Sequence, residues 1–220
     1  NPWHSSTEIA GTVQSEISSD IVARYRLSQV NEIRQIGLYF ASNTGKLFSY
    51  ATLQEVSGVK STSSIKDYLD YYEQTYLFFF LKKFDFSVRK QQANRRKVYA
   101  ADPALVHRLG FNFSANKGRV LENIVFLELI RRNKEVYYHT GKYECDFVVK
   151  EGLKVTSAIQ VTYSLHSQNY EREYRGLEEA MKTYEAPSGL VLVYEEDEDV
   201  PSRKGIEVKP VWKWLLESGN

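Results

Sequence analysis

The sequence predicts a mixed α/β chain in two parts, and three observations carry that prediction. Residues 118–131 place apolar side chains at 120, 121, 124, 125, 127, 129 and 130, the spacing of a helix with one broad buried face. Three short β-branched and aromatic pieces follow, Val136–His139, Tyr143–Val149 and Ala158–Thr162, parted by Gly, Lys and Glu as strands are. Upstream, two short helical stretches joined by a Gly-containing turn precede two strand-like runs around a basic loop. The expected division is 1–112 and 113–220.

The first part begins with Pro2 and Ser5–Thr7, a helix start capped by Ser6 or Thr7. Residues 18–42 read as two helices, the first capped by Asp20 and the second with Ile33, Ile36, Gly37 and Phe40 on one face. Asn43–Gly45 reads as a C-cap and turn. Lys46 is no phosphate-loop lysine, because Phe40 and Leu47 stand where that motif needs Gly and Ser or Thr. Tyr50–Val56 is a short helix ended by Ser57-Gly58. Ile65–Tyr76 is the next, with Ile65, Tyr68, Leu69 and Tyr72 on one side. That is the helix-turn-helix pattern.

Leu77–Phe84 and Lys97–Ala101 read as strands, with Asp85–Arg96 as a polar loop, which makes the pattern a winged one. Lys82, Lys83, Arg89, Lys90, Arg95, Arg96 and Lys97 fall in this hairpin against one acid, Asp85. Such clustering suits contact with nucleic-acid phosphate, while a solvated hairpin tip looks much the same. The helix beside it carries Asp67, Asp70 and Glu73, which repel phosphate, so only Ser61–Lys66 suits a groove. Asp102-Pro103 opens another helix that ends at Gly110, and 111–117 is a join.

In the second part Glu122 lies within the helix, Asp146 within the second strand, and Gln160 and Thr162 on one face of the third. A carboxylate between Cys145 and Phe147 is costly to bury unless a metal, a helix N-terminus or a cation meets it. Residues 169–184 form a helix with Tyr170, Tyr174, Leu177, Ala180, Met181 and Tyr184 on one face. Gly189–Tyr194 and Gly205–Val211 are strands around the acidic loop Glu195–Asp199, and Trp212–Leu216 is a terminal turn.

A helix Glu, then Glu144-Cys-Asp146-Phe-Val-Val, then a strand with a paired polar motif resembles the PD-(D/E)XK nuclease-like fold. More closely, from Asp20 onward the chain resembles the C-terminal region of bacterial and archaeal AAA+ ATPase-family proteins, a winged helix followed by a nuclease-like domain of unknown function. Tyr99–Asp102, Gly118–Asn123, Arg172-Glu173 with Leu177 and Ala180, and Val211–Leu216 belong to the match.

The resemblance implies an N-terminal winged helix-turn-helix and a restriction-endonuclease-like αβββαβ domain, with the ATPase module and its ATP upstream or in trans. An active nuclease of this type has Glu or Asp at the Gln160 position and Lys at the Thr162 position. One anion that would help hold Mg²⁺ and one cation near the scissile phosphate are therefore missing. The expected catalytic set, Glu122, Asp146, Gln160, Thr162 and Arg172, is read as vestigial. Arg172 could restore the lost cation with Glu173 as a spare carboxylate, or else form an ion pair with Glu122 or Asp146. Under the alternative, a metal-dependent DNA nuclease, Asp146 and Gln160 would hold Mg²⁺.

Composition narrows the rest. Charged residues make up 26% and the net charge is +1, so any nucleic-acid role depends on local clustering. The single cysteine, Cys145, excludes an internal disulfide and a cysteine zinc site and suits a reducing compartment. His107, His139 and His166 lack metal-ligand spacing; His139 ends a strand near the cleft. No apolar run reaches the roughly 18 residues of a membrane span, and no signal peptide opens the chain. The expectation is a cytoplasmic module that binds DNA or protein without cutting, holds no cofactor of its own, and leaves homo-oligomerisation open.

Overall fold

A computed structural model describes residues 29–103, 117–196 and 200–217. The expected caps at Ser6, Thr7 and Asp20, the helix ending at Gly110, the 111–116 part of the join, His107 and the 197–199 part of the acidic loop lie outside them. Among the described residues the chain is mixed α/β, with seven helices and two sheets.

Residues 29–80 with 95–103 form one compact unit, and 81–94 with 117–196 and 200–217 form another. The expected boundary at 112/113 falls among residues that are not described. The segment Leu81–Asn94, expected to belong wholly to the first part, packs with the second.

The first unit holds α1 (Val30–Ser42), β1 (Leu47–Phe48), α2 (Tyr50–Ser57) and α3 (Thr62–Gln74). A three-stranded sheet joins β1 to β2 (Phe78–Lys82) and β3 (Arg96–Ala100) in the order β1-β3-β2. In α1, Ile33, Ile36, Gly37, Phe40 and Ala41 are buried, the face that periodicity predicts. Asn43 and Ser42 donate to the carbonyls of Tyr39 and Leu38, and Gly45 turns the chain at φ 75°.

Helix α2 is capped by the Ser49 hydroxyl, which accepts from Thr52 N–H at 3.2 Å, and ends at Gly58 in the left-handed region. Helix α3 spans Thr62–Gln74 rather than Ile65–Tyr76. Ser61 caps it, accepting from Ser64 N–H, so the turn starts earlier; Tyr76 at φ 55° stops it short.

One ring centres this unit. Phe40 lies 5.0–5.6 Å, centroid to centroid, from Phe48, Tyr72, Phe78 and Phe80, which arrive from β1, α3 and β2. The Tyr72 hydroxyl donates to the Ile33 carbonyl, and burial pushes its pKa well above the usual phenol value.

The second unit adds α4 (Val88–Ala93), α5 (Lys117–Arg131) and the strands β4 (Glu135–Thr140), β5 (Glu144–Glu151) and β6 (Lys154–Leu165). It closes with α6 (Tyr170–Tyr184), β7 (Ser188–Glu196), β8 (Ile206–Pro210) and α7 (Val211–Leu216). Helix α4 occupies the stretch expected to be loop. Asp85 makes the turn ahead of it, accepting from Ser87 N–H at 2.9 Å, while its main-chain carbonyl accepts from the Gln91 side chain.

The sheet runs β4-β5-β6-β7-β8, antiparallel from β4 to β6 and parallel from β6 to β8. Strand β6 is longer than expected. Parallel pairing with β7 continues to Leu165↔Glu196, so 163–165 are strand, not loop, and Glu195 and Glu196 end β7. Beside the bulged β4, Lys83 forms an isolated bridge to Tyr138, and Phe84 N–H donates to the Tyr138 carbonyl at 2.9 Å. The Phe84 ring meets Tyr137 and Tyr184 at 5.2 and 4.7 Å.

Helix α6 lies close on β5. A Cβ at Gly176 would stand 1.9 Å from the Glu144 carbonyl oxygen, so only glycine permits this approach. At the other end Glu128 accepts from Arg131 at 2.6 Å and from Arg132 Nε at 2.7 Å. Arg132 also donates to the Trp214 carbonyl at 2.7 Å, and its guanidinium lies 4.3 Å from that ring's centre. This clamp ties α7 to α5. The Arg131 hydrogen bonds, then those of Arg132, hold the Glu128 carboxyl down to about 2, against the opposing pull of burial.

Two outcomes follow for stability. Phe40→Ala should cost about 3–5 kcal/mol, the range for emptying a buried aromatic site, read from urea unfolding. Because folding lowers the Glu128 pKa, its contribution is full above the unfolded value and is lost as pH falls through about 2. The Tm gap between wild type and Glu128→Gln should therefore be largest near neutral pH and shrink from about pH 4.5 down to about pH 2.

Candidate functional site

The site lies where β5 and β6 stop pairing through their backbones. Regular pairing reaches Phe147↔Ile159, which sets Asp146 beside Gln160. There side chains take over. Asp146 N–H donates to Gln160 Oε1 at 3.2 Å, and Asp146 Oδ2 accepts from Val161 N–H at 3.0 Å. Gln160 Nε2 donates to Glu173 Oε2 of α6 at 2.8 Å. Asp146 is buried and Glu173 is 4% exposed, so each needs the partners that reach it.

Arg172 does not cross to Glu122. Its Nε donates to Glu173 Oε1 at 3.0 Å, and its side chain is largely exposed. Glu173 first, and the Asp146 charge to a lesser degree, raise the guanidinium pKa. The expected set thus draws together Asp146, Gln160 and Arg172, with Glu173 joining them. Thr162 turns to its own strand, donating to the Ser164 carbonyl at 3.0 Å. Glu122 is buried on α5, one turn before Phe126, whose ring stacks on Phe147 at 6.3 Å.

The donors present do not suit a magnesium ion. Such an ion takes six oxygens and favours carboxylates. Among the described residues, no group of three or more His, Cys, Asp or Glu could hold a metal. The Gln160 carbonyl oxygen already accepts from Asp146, and one Asp146 oxygen from Val161. What the arrangement does is close a gap in the sheet and fix α6 over it.

Glu173, expected only as a spare carboxylate, is buried and bonded to both Gln160 and Arg172. Its signal in the sequence is an acid inside the stripe formed by Tyr170, Tyr174 and Leu177. His139 is buried rather than open to the cleft. Its Nδ1 shares a hydrogen bond with the Tyr184 hydroxyl at 2.8 Å. Its Nε2 lies 3.4 Å from Glu179 Oε1, within ion-pair range but without hydrogen-bond geometry. Burial lowers its pKa more than Glu179 raises it. Glu179 itself accepts from Lys142 and Tyr143 N–H at 2.9 Å, securing the β4–β5 turn, a role no sequence pattern signals.

The basic residues divide between the two units. Lys82, Arg89 and Lys90 are exposed and Lys83 half-buried in the second; Arg95 is exposed in the first. Lys97, expected at the start of a strand and counted among the phosphate-contacting cations, is not open to such contact. It lies within β3 opposite Leu47 and is 2% exposed. Arg96, opposite Phe48, donates to the Tyr50 hydroxyl at 3.1 Å.

Comparison with known proteins places the chain among others described without a function. An uncharacterized protein of Methanocaldococcus jannaschii is 34% identical over 213 residues, covering 90% of this chain and 47% of that protein. An uncharacterized protein of Haemophilus influenzae is 28% identical over 218 residues, covering 96% of this chain and 52% of that protein. The chain therefore spans about half the length of these curated relatives. No solved structure matches. Residues 117–214 match the domain of unknown function DUF4143. Residues 3–117, more than half of the chain, match the domain of unknown function DUF8612, and the chain belongs to that family.

Proposed function

We propose that this chain is a non-catalytic binding module of an AAA+-type ATPase, holding DNA or a protein partner while the ATPase acts from elsewhere. One observation carries the reading. The neutral Gln160 amide, where a metal-binding carboxylate would be needed, is committed on both sides, to Asp146 N–H and to Glu173. With Thr162 bonded to Ser164, no ammonium stands beside it on β6.

The element order supports the architecture. Two short helices, α2 and α3, followed by β2 and β3 in a small sheet, suit a winged helix-turn-helix. The order α5-β4-β5-β6-α6-β7, antiparallel then parallel around a central β6, suits a PD-(D/E)XK-like unit. The relatives' extra length leaves room for an ATPase module. DNA is the favoured partner because exposed Lys82, Arg89, Lys90 and Arg95 supply cations, and α4 carries no acid.

A second reading, a nuclease with an altered motif, rests on Glu173 and Arg172. They bring a buried carboxylate and a cation to the position beside Gln160. Plasmid incubated with the protein and magnesium or manganese separates the two. The binding reading expects intact plasmid. Cleavage that disappears in Asp146→Ala would establish the nuclease. In duplex binding followed by fluorescence anisotropy, affinity should fall steeply with salt. Replacing Arg89 and Lys90 by Ala should reduce the log–log slope by about 0.9 for each phosphate no longer neutralised.

A further inference from the structure

Three elements of the first unit bring two cations to one ring. Tyr50 opens α2, Lys66 lies on α3 and Arg96 opens β3. Lys66 Nζ and the Arg96 guanidinium carbon each stand 5.8 Å from the centre of the Tyr50 ring. Arg96 Nη2 donates to the Tyr50 hydroxyl at 3.1 Å. Lys66 is exposed, and Tyr50 and Arg96 are half-buried.

Among the described residues neither cation is neutralised. No carboxylate there lies within ion-pair distance of Lys66 or Arg96, although Asp67 and Asp70 follow Lys66 on α3. The ring's negative face holds each cation close to it, and each keeps hydrogen-bond donors to offer an anion. The donors suit such an anion. The guanidinium is a planar fork and Lys66 is a mobile ammonium. The Tyr50 oxygen, accepting from Arg96, still has its own O–H to give. Each is a donor of the kind that phosphate oxygens accept from.

We propose that Tyr50, Lys66 and Arg96 form a phosphate-binding clip, and that the phosphate it takes belongs to a nucleic-acid backbone. The nucleic-acid part rests on the DNA reading above; the phosphate part does not. A backbone is favoured over a single phosphorylated side chain because further positive charge adjoins the clip in sequence. Exposed Arg95 precedes Arg96, and exposed Lys60 precedes the Ser61 cap of α3.

The test uses the whole chain with Lys66→Ala, Tyr50→Phe and, as a control, Lys213→Ala, an exposed lysine of the second unit. Lys66→Ala removes an exposed ammonium and Tyr50→Phe keeps the ring, so both should fold. Anisotropy with a fluorescein-labelled mixed-sequence duplex should show binding roughly five- to tenfold weaker in Lys66→Ala, with the salt slope reduced by about 0.9. Tyr50→Phe should be weaker too, and Lys213→Ala unchanged. Wild-type binding that both clip variants retain in full overturns the clip and leaves the DNA reading standing.

A parallel titration with inorganic phosphate, followed by amide NMR shifts, covers the case in which no duplex binds. Shifts around Tyr50, Lys66 and Arg96 that vanish in Lys66→Ala would keep the phosphate site and refute its nucleic-acid source, leaving a phosphopeptide or free phosphate. No duplex binding and no such shifts would overturn the proposal outright.

Discussion

A sheet that has to open without leaving backbone groups unsatisfied is the constraint around which the second unit is arranged. Where β5 and β6 part, two N–H groups lose their ladder partners, and buried donors of that kind are costly. Asp146 supplies an oxygen to one and Gln160 to the other. The same Gln160 amide then fixes Glu173, and so holds α6 against the sheet. Gly176 lets that helix approach so closely, and Glu179 fastens it to the β4–β5 turn. One glutamine thus serves strand pairing and helix placement at once. A charged glutamate there would face both Asp146 and Glu173 in a buried setting.

The same logic explains why Arg172 stays beside Glu173. A buried carboxylate needs more than one donor, and the guanidinium adds a second to the Gln160 amide. The cation reaches in from an exposed stem, so its desolvation is small, while Glu173 is screened by its neighbours. The cluster reads as a balanced polar network around a seam between strands.

Much of the architecture was legible from periodicity and punctuation. The faces of α1, α3 and α6, the Gly58 stop, and the three strands after α5 all follow from apolar spacing and turn residues. What was hidden depended on distant partners. The extra length of β6 comes from pairing with β7, which no local pattern announces. Helix α4 is six residues long and follows the Asp85 turn within a stretch too polar to show a buried face. Lys97 was legible as a strand residue, but not that its side chain would be buried there. In the site, Asp146 and Gln160 were identifiable as polar residues in apolar strands. The part of Glu173 appears only once α6 is laid on the sheet.

The allegiance of residues 81–94 bears on how such a protein can be inherited. Phe84 fills a space between Tyr137 and Tyr184, so the second unit is assembled from two separate stretches of chain. A recombination event that moved only 117–214 into another gene would arrive with that space empty and the Tyr138 carbonyl without its Phe84 donor. Ancestral shuffling of the two halves would thus be penalised, and the pair is expected to travel through genomes together.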